Sequence, residues 1–257
     1  EIKLTVLPLN GGHSVFVDAP GRKSDWLVDC GNDRAVEFTL KPFLRAQGVN
    51  TIQRLVLTHG DVKDVGGAAT LDQLFGIGEL WTSPAKFRSP AYRGMVSDFE
   101  KPPVRHKIFN CGDCAGCWRA LHPAAGDNFP RADDNALALS GNFYGARILL
   151  LSDLGRAGQG AVLAHTNDLR ADIVIAGLPN DGEPLGDELL DAIQPKVIVV
   201  VDSEFPATRR AGSQLKERLA GRKVPVIYTR ATGAVTILIR PKGWELRTMN
   251  GQKLTSP

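Results

Sequence analysis

The chain opens with Ile2-Lys3-Leu4-Thr5-Val6-Leu7, where apolar and polar positions alternate with the period of a half-buried strand. Asn10-Gly11-Gly12-His13-Ser14 turns it into a second strand, Val15-Phe16-Val17-Asp18, and Pro20-Gly21 leads to a third, Trp26-Leu27-Val28-Asp29. Short strands joined by glycine turns predict an antiparallel meander. From Val36 to Gln47 the spacing becomes that of an amphipathic helix, stopped by Gly48, and the apolar run Leu55-Val56-Leu57 follows. Strand, helix, strand predicts a parallel pairing, so this sheet is expected to be mixed.

The same reading places helices at 68–75 and 89–99 and a short strand at 80–82. Lys107 to Asp134 is rich in Gly, Pro and Cys and predicts little regular structure. Strands resume at Ala136–Leu139 and Ala146–Leu151, followed by a helix at 158–165 and a strand at Ile173–Ala176. A helix at 184–193, a strand at Val197–Val201 and a helix at 213–219 come next, and strands at 226–228, 234–239 and 244–247 end the chain. No linker or repeat divides it. Strands in both halves with helices between them predict one α/β (α+β) domain over 1–257, an αββα sandwich of two mixed β-sheets.

Candidate chemistry gathers where apolar runs stop. Leu55-Val56-Leu57 gives way to Thr58-His59-Gly60-Asp61-Val62-Lys63-Asp64-Val65-Gly66-Gly67, which sets one imidazole and two carboxylates in a loop leaving a strand end. The run Ala146–Leu151 halts at Ser152-Asp153. Loops at strand ends are where a fold of this class collects metal ligands in one mouth. The bland readings are that His59 and Asp61 only fix the loop, and that Asp153 caps the following helix.

At 257 residues and 43% hydrophobic, the chain is long enough to bury a large core. No apolar run approaches the roughly 18 residues that cross a bilayer. With neither a signal-peptide pattern nor an initiator Met, it reads as a soluble piece of something longer. A net charge of +3 permits a nucleic-acid partner without arguing for one. Cys111, Cys114 and Cys117 form a C-x-x-C-x-x-C run, open to a zinc or redox site, a local disulfide or plain thiols.

Several segments, in one order, resemble the metallo-β-lactamase-type domain that forms the C-terminal part of the ComEC DNA-internalisation proteins. Asn10-Gly11-Gly12-His13-Ser14 stands for that family's G-x-G-D-S turn, Leu27-Val28-Asp29-Cys30-Gly31 for its strand ending in Asp-Thr-Gly, and Leu57-Thr58-His59-Gly60-Asp61 for its L-T-H-x-D. Pro42 to Val49, Leu121-His122-Pro123, Leu151-Ser152-Asp153, Leu178-Pro179-Asn180-Asp181-Gly182 and Gln194-Pro195-Lys196-Val197 match in turn. The resemblance implies a motif H-x-[HD]-x-D-H that gathers two metal ions over the strand ends, with a later Asp bridging them, and a hydrolase that cuts a DNA phosphodiester. Carried over, His59 and Asp61 take the first pair of positions and Asp153 the bridge, and these are the catalytic candidates.

The departures matter as much. Lys63 and Asp64 stand where the family has Asp-His, Asn180-Asp181 replaces His-His, His13 replaces an Asp, and Arg210 lies near the place of a further His. The resemblance therefore implies a degenerate site, with Lys63 as a fixed charge in one ion's place. His59, Asp61, Asp64, Asp153 and Asp181 remain as metal candidates, supported by Asp29, Lys63 and Asn180. One imidazole among carboxylates suits Mn²⁺ or Mg²⁺ better than Zn²⁺, and at most one ion, or none, is expected. Asp29 also reads as a bond to neighbouring backbone amides, Asp181 as turn chemistry, and His13 and His122 as hydrogen-bonded loop histidines.

The basic run Arg209, Arg210, Lys216, Arg218, Arg222 and Lys223 is either a solvated helix face or a phosphate track, with Arg209, Arg210 and Lys216 the DNA-contact candidates. Two functions follow from the resemblance: a metal-dependent nuclease on incoming DNA during natural competence, or an inactive domain with a DNA-binding or assembly role in the uptake channel. Its partners would be DNA and the membrane channel portion of the same polypeptide, with no small-molecule cofactor. The placement implied is the extracytoplasmic side of an inner-membrane protein.

Overall fold

The computed structural model describes residues 1–21 and 24–256. The strands are β1 (Ile2–Leu9), β2 (Gly12–Asp18), β3 (Trp26–Val28), β4 (Ile52–Leu57), β5 (Ile77–Thr82), β6 (His106–Ile108), β7 (Cys114–Ala115) and β8 (Trp118–His122). They continue with β9 (Ala138–Phe143), β10 (Ala146–Leu150), β11 (Ile173–Ala176), β12 (Val197–Val200), β13 (Val226–Tyr228), β14 (Val235–Arg240), β15 (Gly243–Thr248) and β16 (Lys253–Thr255). Among the described residues they form a nine-stranded sheet, β16-β15-β14-β1-β2-β3-β4-β5-β6, and a seven-stranded sheet, β13-β12-β11-β10-β9-β8-β7. The expected meander is there, with β1, β2 and β3 antiparallel, and β4 then pairs parallel to β3 across the first helical crossover. Both sheets are mixed, as expected of the αββα sandwich.

Alternation along the buried strands decides which layer each side chain joins. Val56 points between the sheets, whereas Leu55 and Leu57 meet the helical segments at 33–46, 68–75 and 90–100. In the other sheet Ile173, Ile175, Val197 and Val199 face the first sheet, while Val174, Ala176, Ile198 and Val200 pack on the helices Arg156–His165, Asp187–Ile193 and Ser213–Ala220. A strand buried on both faces reads as an unbroken apolar run, which is why these parallel strands show no polar alternation.

The first helix starts earlier than its apolar spacing suggests, because the Asn32 side chain accepts from the Ala35 N–H at 2.9 Å, and a π turn spans Val36–Leu40. A short helix at Val62–Val65 escaped the sequence reading; its N-cap, Asp61, accepts from the Lys63 N–H at 3.0 Å. The segment expected to be irregular contains β6, β7 and β8, pieces too short for periodicity to show. No helix among the described residues is long and apolar enough to cross a membrane.

Candidate metal centre

The parallel strands of both sheets end at one rim, and their loops supply the site. Asp29 follows β3, the 58–64 loop follows β4, Asp153 follows β10, and Leu178 to Asn180 follow β11; β12 leads to Ser203 and Arg209. His13 enters from β2. His59, Asp64 and Asp153 bring one ligand atom each within 4.8 Å of one another, the single such His/Cys/Asp/Glu group among the described residues. They are 0%, 0% and 2% exposed.

A relay fixes His59. Asp29, held at φ 55°, accepts from the Thr58 N–H at 2.9 Å and from the Thr58 hydroxyl at 2.6 Å. Thr58 Oγ1 lies 2.9 Å from His59 Nδ1 and 2.7 Å from Ser152 Oγ. With its proton given to Asp29, Thr58 accepts from Nδ1–H, so the ring's other nitrogen faces the cluster. There His59 Nε2 stands 3.5 Å from Asp64 Oδ2, and both atoms are buried without a hydrogen-bond partner. Two facing acceptors repel unless a proton or a cation lies between them.

His13 closes the far side. Its backbone N–H donates to Asp64 Oδ1 at 3.0 Å, and its Nδ1 lies 3.1 Å from the same oxygen and 3.8 Å from Asp153 Oδ1. Burial disfavours its charged form, but Asp64, Asp153 and Asp29 together outweigh burial and raise His13 to about 9. His59 is raised too, the same carboxylates overcoming desolvation. Burial, reinforced by the Asp64 charge, lifts Asp153 to about 7 against the pull of His13 and Arg209. The folded state therefore holds protons here that the unfolded chain releases near its ordinary values, so stability falls as pH rises. The His13 part is fully present below pH 6.5 and lost through about 9. Denaturant midpoints from about pH 6 to about pH 9.5 should decline, and His13→Gln should flatten the alkaline half of that decline; a wild-type midpoint constant across the interval would remove the assignment.

Arg209 carries the positive charge that the sequence assigns to Lys63. Its Nη1 donates to Asp153 Oδ2 at 2.5 Å and to the Leu178 carbonyl. Its Nη2 donates to Asp61 Oδ2 at 2.9 Å and to Asn180 Oδ1 at 3.1 Å. Lys63 instead, on the 62–65 helix, runs past Gly11 and forms no ion pair among the described residues. Arg210, expected near a lost histidine, points outward to Glu204 at 2.8 Å.

The other candidates separate. Asp61 and Asn180 belong to the Arg209 network, and Asp133, which the sequence did not single out, accepts from the Asn180 N–H at 2.6 Å. Asp181 lies on the surface, paired with Arg131 at 2.8 Å and turned away from the cluster. The role of capping the 156–165 helix falls to Asp134, not Asp153, through the Ala157 N–H at 2.9 Å. His122 Nε2 is 2.8 Å from the Asp134 carbonyl, outside the site. Arg209 is 3% exposed and cannot reach DNA. Arg218 and Arg222 bind Glu183, Asp187 and Asp191, so much of the basic run ties one helix to another, and Lys216 lies 5.3 Å over the Tyr228 ring. All four cysteines are free, and no three thiols converge. Two roles were missed in the sequence: His13 as a cluster member, signalled only by its departure from the family pattern, and Arg209 as the cluster's cation, signalled only by its place beside Arg210.

The donors present fit one divalent ion. The unpartnered His59 Nε2 and Asp64 Oδ2, with Asp153, offer one nitrogen and two carboxylates. The position beside Asp61, Asp153 and Asn180 is filled by the guanidinium.

No family model matches the chain. It is 22% identical over 255 residues to ComE operon protein 3 of Bacillus subtilis, covering 91% of this chain and 33% of that protein. It is also 22% identical over 245 residues to competence protein ComA of Neisseria gonorrhoeae, with 91% and 32% covered. The chain thus spans about a third of the length of the curated relatives it matches. Among solved structures it resembles the metallo-β-lactamase fold protein YhfI from Bacillus subtilis, with a TM-score of 0.55 at 13% identity over 91% of this chain and 99% of that one.

Proposed function

We propose that this ComEC-like metallo-β-lactamase-fold domain serves a DNA-uptake protein as a DNA-contacting module without hydrolytic activity. One observation carries the reading: Arg209, bonded to Asp61, Asp153 and Asn180, stands between the outer cleft and the His59, Asp64 and Asp153 cluster. A catalytic metal keeps an open position for water or substrate, whereas a closed site is structural. The cleft outside is lined by Gly60, Asp61, Asn180, Lys86, Arg88 and Arg131. Lys86 and Arg88 are exposed and form no ion pair among the described residues, so they are available to phosphates. Attachment to a membrane channel through the rest of a longer polypeptide, on its extracytoplasmic side, belongs to the same proposal.

The unpartnered His59 Nε2 and Asp64 Oδ2 favour a second reading, a phosphodiesterase with one divalent ion held by His59, Asp64 and Asp153. Such an ion would supply Lewis-acid activation of water, and the donor set prefers Mn²⁺ or Mg²⁺ to Zn²⁺. One experiment separates the two. Single-stranded and duplex DNA incubated with the protein and Mn²⁺ should remain intact, while binding weakens several-fold in Lys86→Ala/Arg88→Ala and with added salt. Mn²⁺-dependent cleavage that His59→Ala and Asp153→Asn both abolish would replace the first reading with the second.

A further inference from the structure

We propose that Arg209 is the resident cation of an oxygen-lined berth, a side chain standing where the two-ion centre implied by the family resemblance has one of its ions. This charge compensation lies inside the fold and does not depend on DNA binding.

Four oxygens surround the guanidinium: Asp61 Oδ2, Asp153 Oδ2, Asn180 Oδ1 and the Leu178 carbonyl. They come from loops after β4, β10 and β11, so no local sequence requires them to meet. Asp61, Asp153 and Asn180 are also positions where the family motif implies metal ligands, and Arg209 arrives from the loop after β12, where a further ligand is expected. A planar fork with fixed donors satisfies oxygens on two sides at once, which a lysine ammonium cannot do with the same geometry.

The loop presents Arg209 in advance. The Ser203 N–H donates to the Arg209 carbonyl at 2.8 Å, the Arg209 N–H to the Pro206 carbonyl at 2.9 Å, and the Ala211 N–H to Asp202 Oδ2 at 3.3 Å. Ser203 Oγ in turn accepts from the Gly11 N–H at 3.0 Å, anchoring the loop to the turn before β2. The Arg209 side chain is 4% exposed, and the carboxylates of Asp61 and Asp153 are 16% and 2% exposed. Without a cation, the buried Asp153 carboxylate would face that of Asp61 with no charge between them. The guanidinium removes that repulsion permanently, so this half of the site needs no metal to fold.

Removing the guanidinium should turn the berth back into a metal site. Arg209→Ala leaves four oxygen donors, the set a hard cation such as Mn²⁺ takes. The variant's melting midpoint is expected to fall by about 10 °C in EDTA and to recover by at least half in millimolar Mn²⁺. Equilibrium dialysis should find one more Mn²⁺ per chain in Arg209→Ala than in the wild type, and the same gain on a His59→Ala/Asp64→Ala background, where an ion shared by His59, Asp64 and Asp153 has lost two of its ligands. Arg209→Gln, which keeps part of the side chain's bulk without its charge, should behave alike if Arg209→Ala is insoluble. Should neither variant fold on purification, refolding in Mn²⁺ but not in EDTA would support the proposal, and failure in both would overturn it. Equal Mn²⁺ stoichiometry in variant and wild type, or a midpoint in either variant that Mn²⁺ leaves unchanged, would also overturn it.

Discussion

Asp64→Ala is expected to destabilise the protein by about 3–5 kcal/mol, the cost of removing one partner from a buried charge cluster. Asp64 is wholly buried, accepts from the His13 N–H and lies within 3.5 Å of a ring nitrogen of both His13 and His59. The two imidazoles draw its carboxyl below the ordinary value in spite of its burial. Truncation leaves both rings beside Asp153 and Asp29 without the charge that holds their protons, and opens space where the carboxylate stood. Guanidinium denaturation at neutral pH measures the loss. Asp64→Asn, which keeps the shape and one acceptor, should lose less. Equal stability of Asp64→Ala and wild type would show that the cluster contributes nothing to folding.

Gly12→Ala should be nearly as costly, about 3 kcal/mol or more, for a steric reason. A Cβ at Gly12 would sit 2.0 Å from the Lys63 carbonyl oxygen and 2.8 Å from Asp64 Oδ1. The oxygen is backbone, fixed by the 62–65 helix, whose Asp64 carbonyl accepts from both the Cys30 and Gly31 N–H groups at 2.8 Å. Neither segment can retreat without breaking the site loops apart. Gly160→Ala is the control: nothing lies within 4 Å of its Cβ position, and it stands inside the 156–165 helix. There the change should be neutral or stabilising by about 0.5–1 kcal/mol. Thermal melting of the two variants side by side would test the contrast, and similar midpoints would contradict it.

Arg209 and His13 show why the order of ligand-like residues was readable while their partners were not. His59, Asp61 and Asp153 could be singled out because each follows an apolar run, and a parallel strand must end in a loop at the sheet's rim. Arg209 lay in a basic run indistinguishable from a solvated face, beside Arg210, which does point outward. Lys63 was close in sequence to the carboxylates, yet as the second residue of the short helix that Asp61 caps it runs past Gly11. Proximity along a chain limits position to a few ångströms, and a helix can rotate a neighbour out of the site entirely.

By itself, the sequence determined the layers of this protein. Period-two and unbroken apolar runs have low free energy only as strands buried on one face or on both, and the spacing of the helices between them left the αββα sandwich as the arrangement that hides those faces. Tertiary structure alone decided which charges meet. Whether Asp153 faces a metal ion, a lysine or a guanidinium depends on where the loop after β12 crosses the rim. That path is set by hydrogen bonds from Gly11 to Ser203 and from Ala211 to Asp202, contacts between segments far apart in the chain that no local pattern encodes.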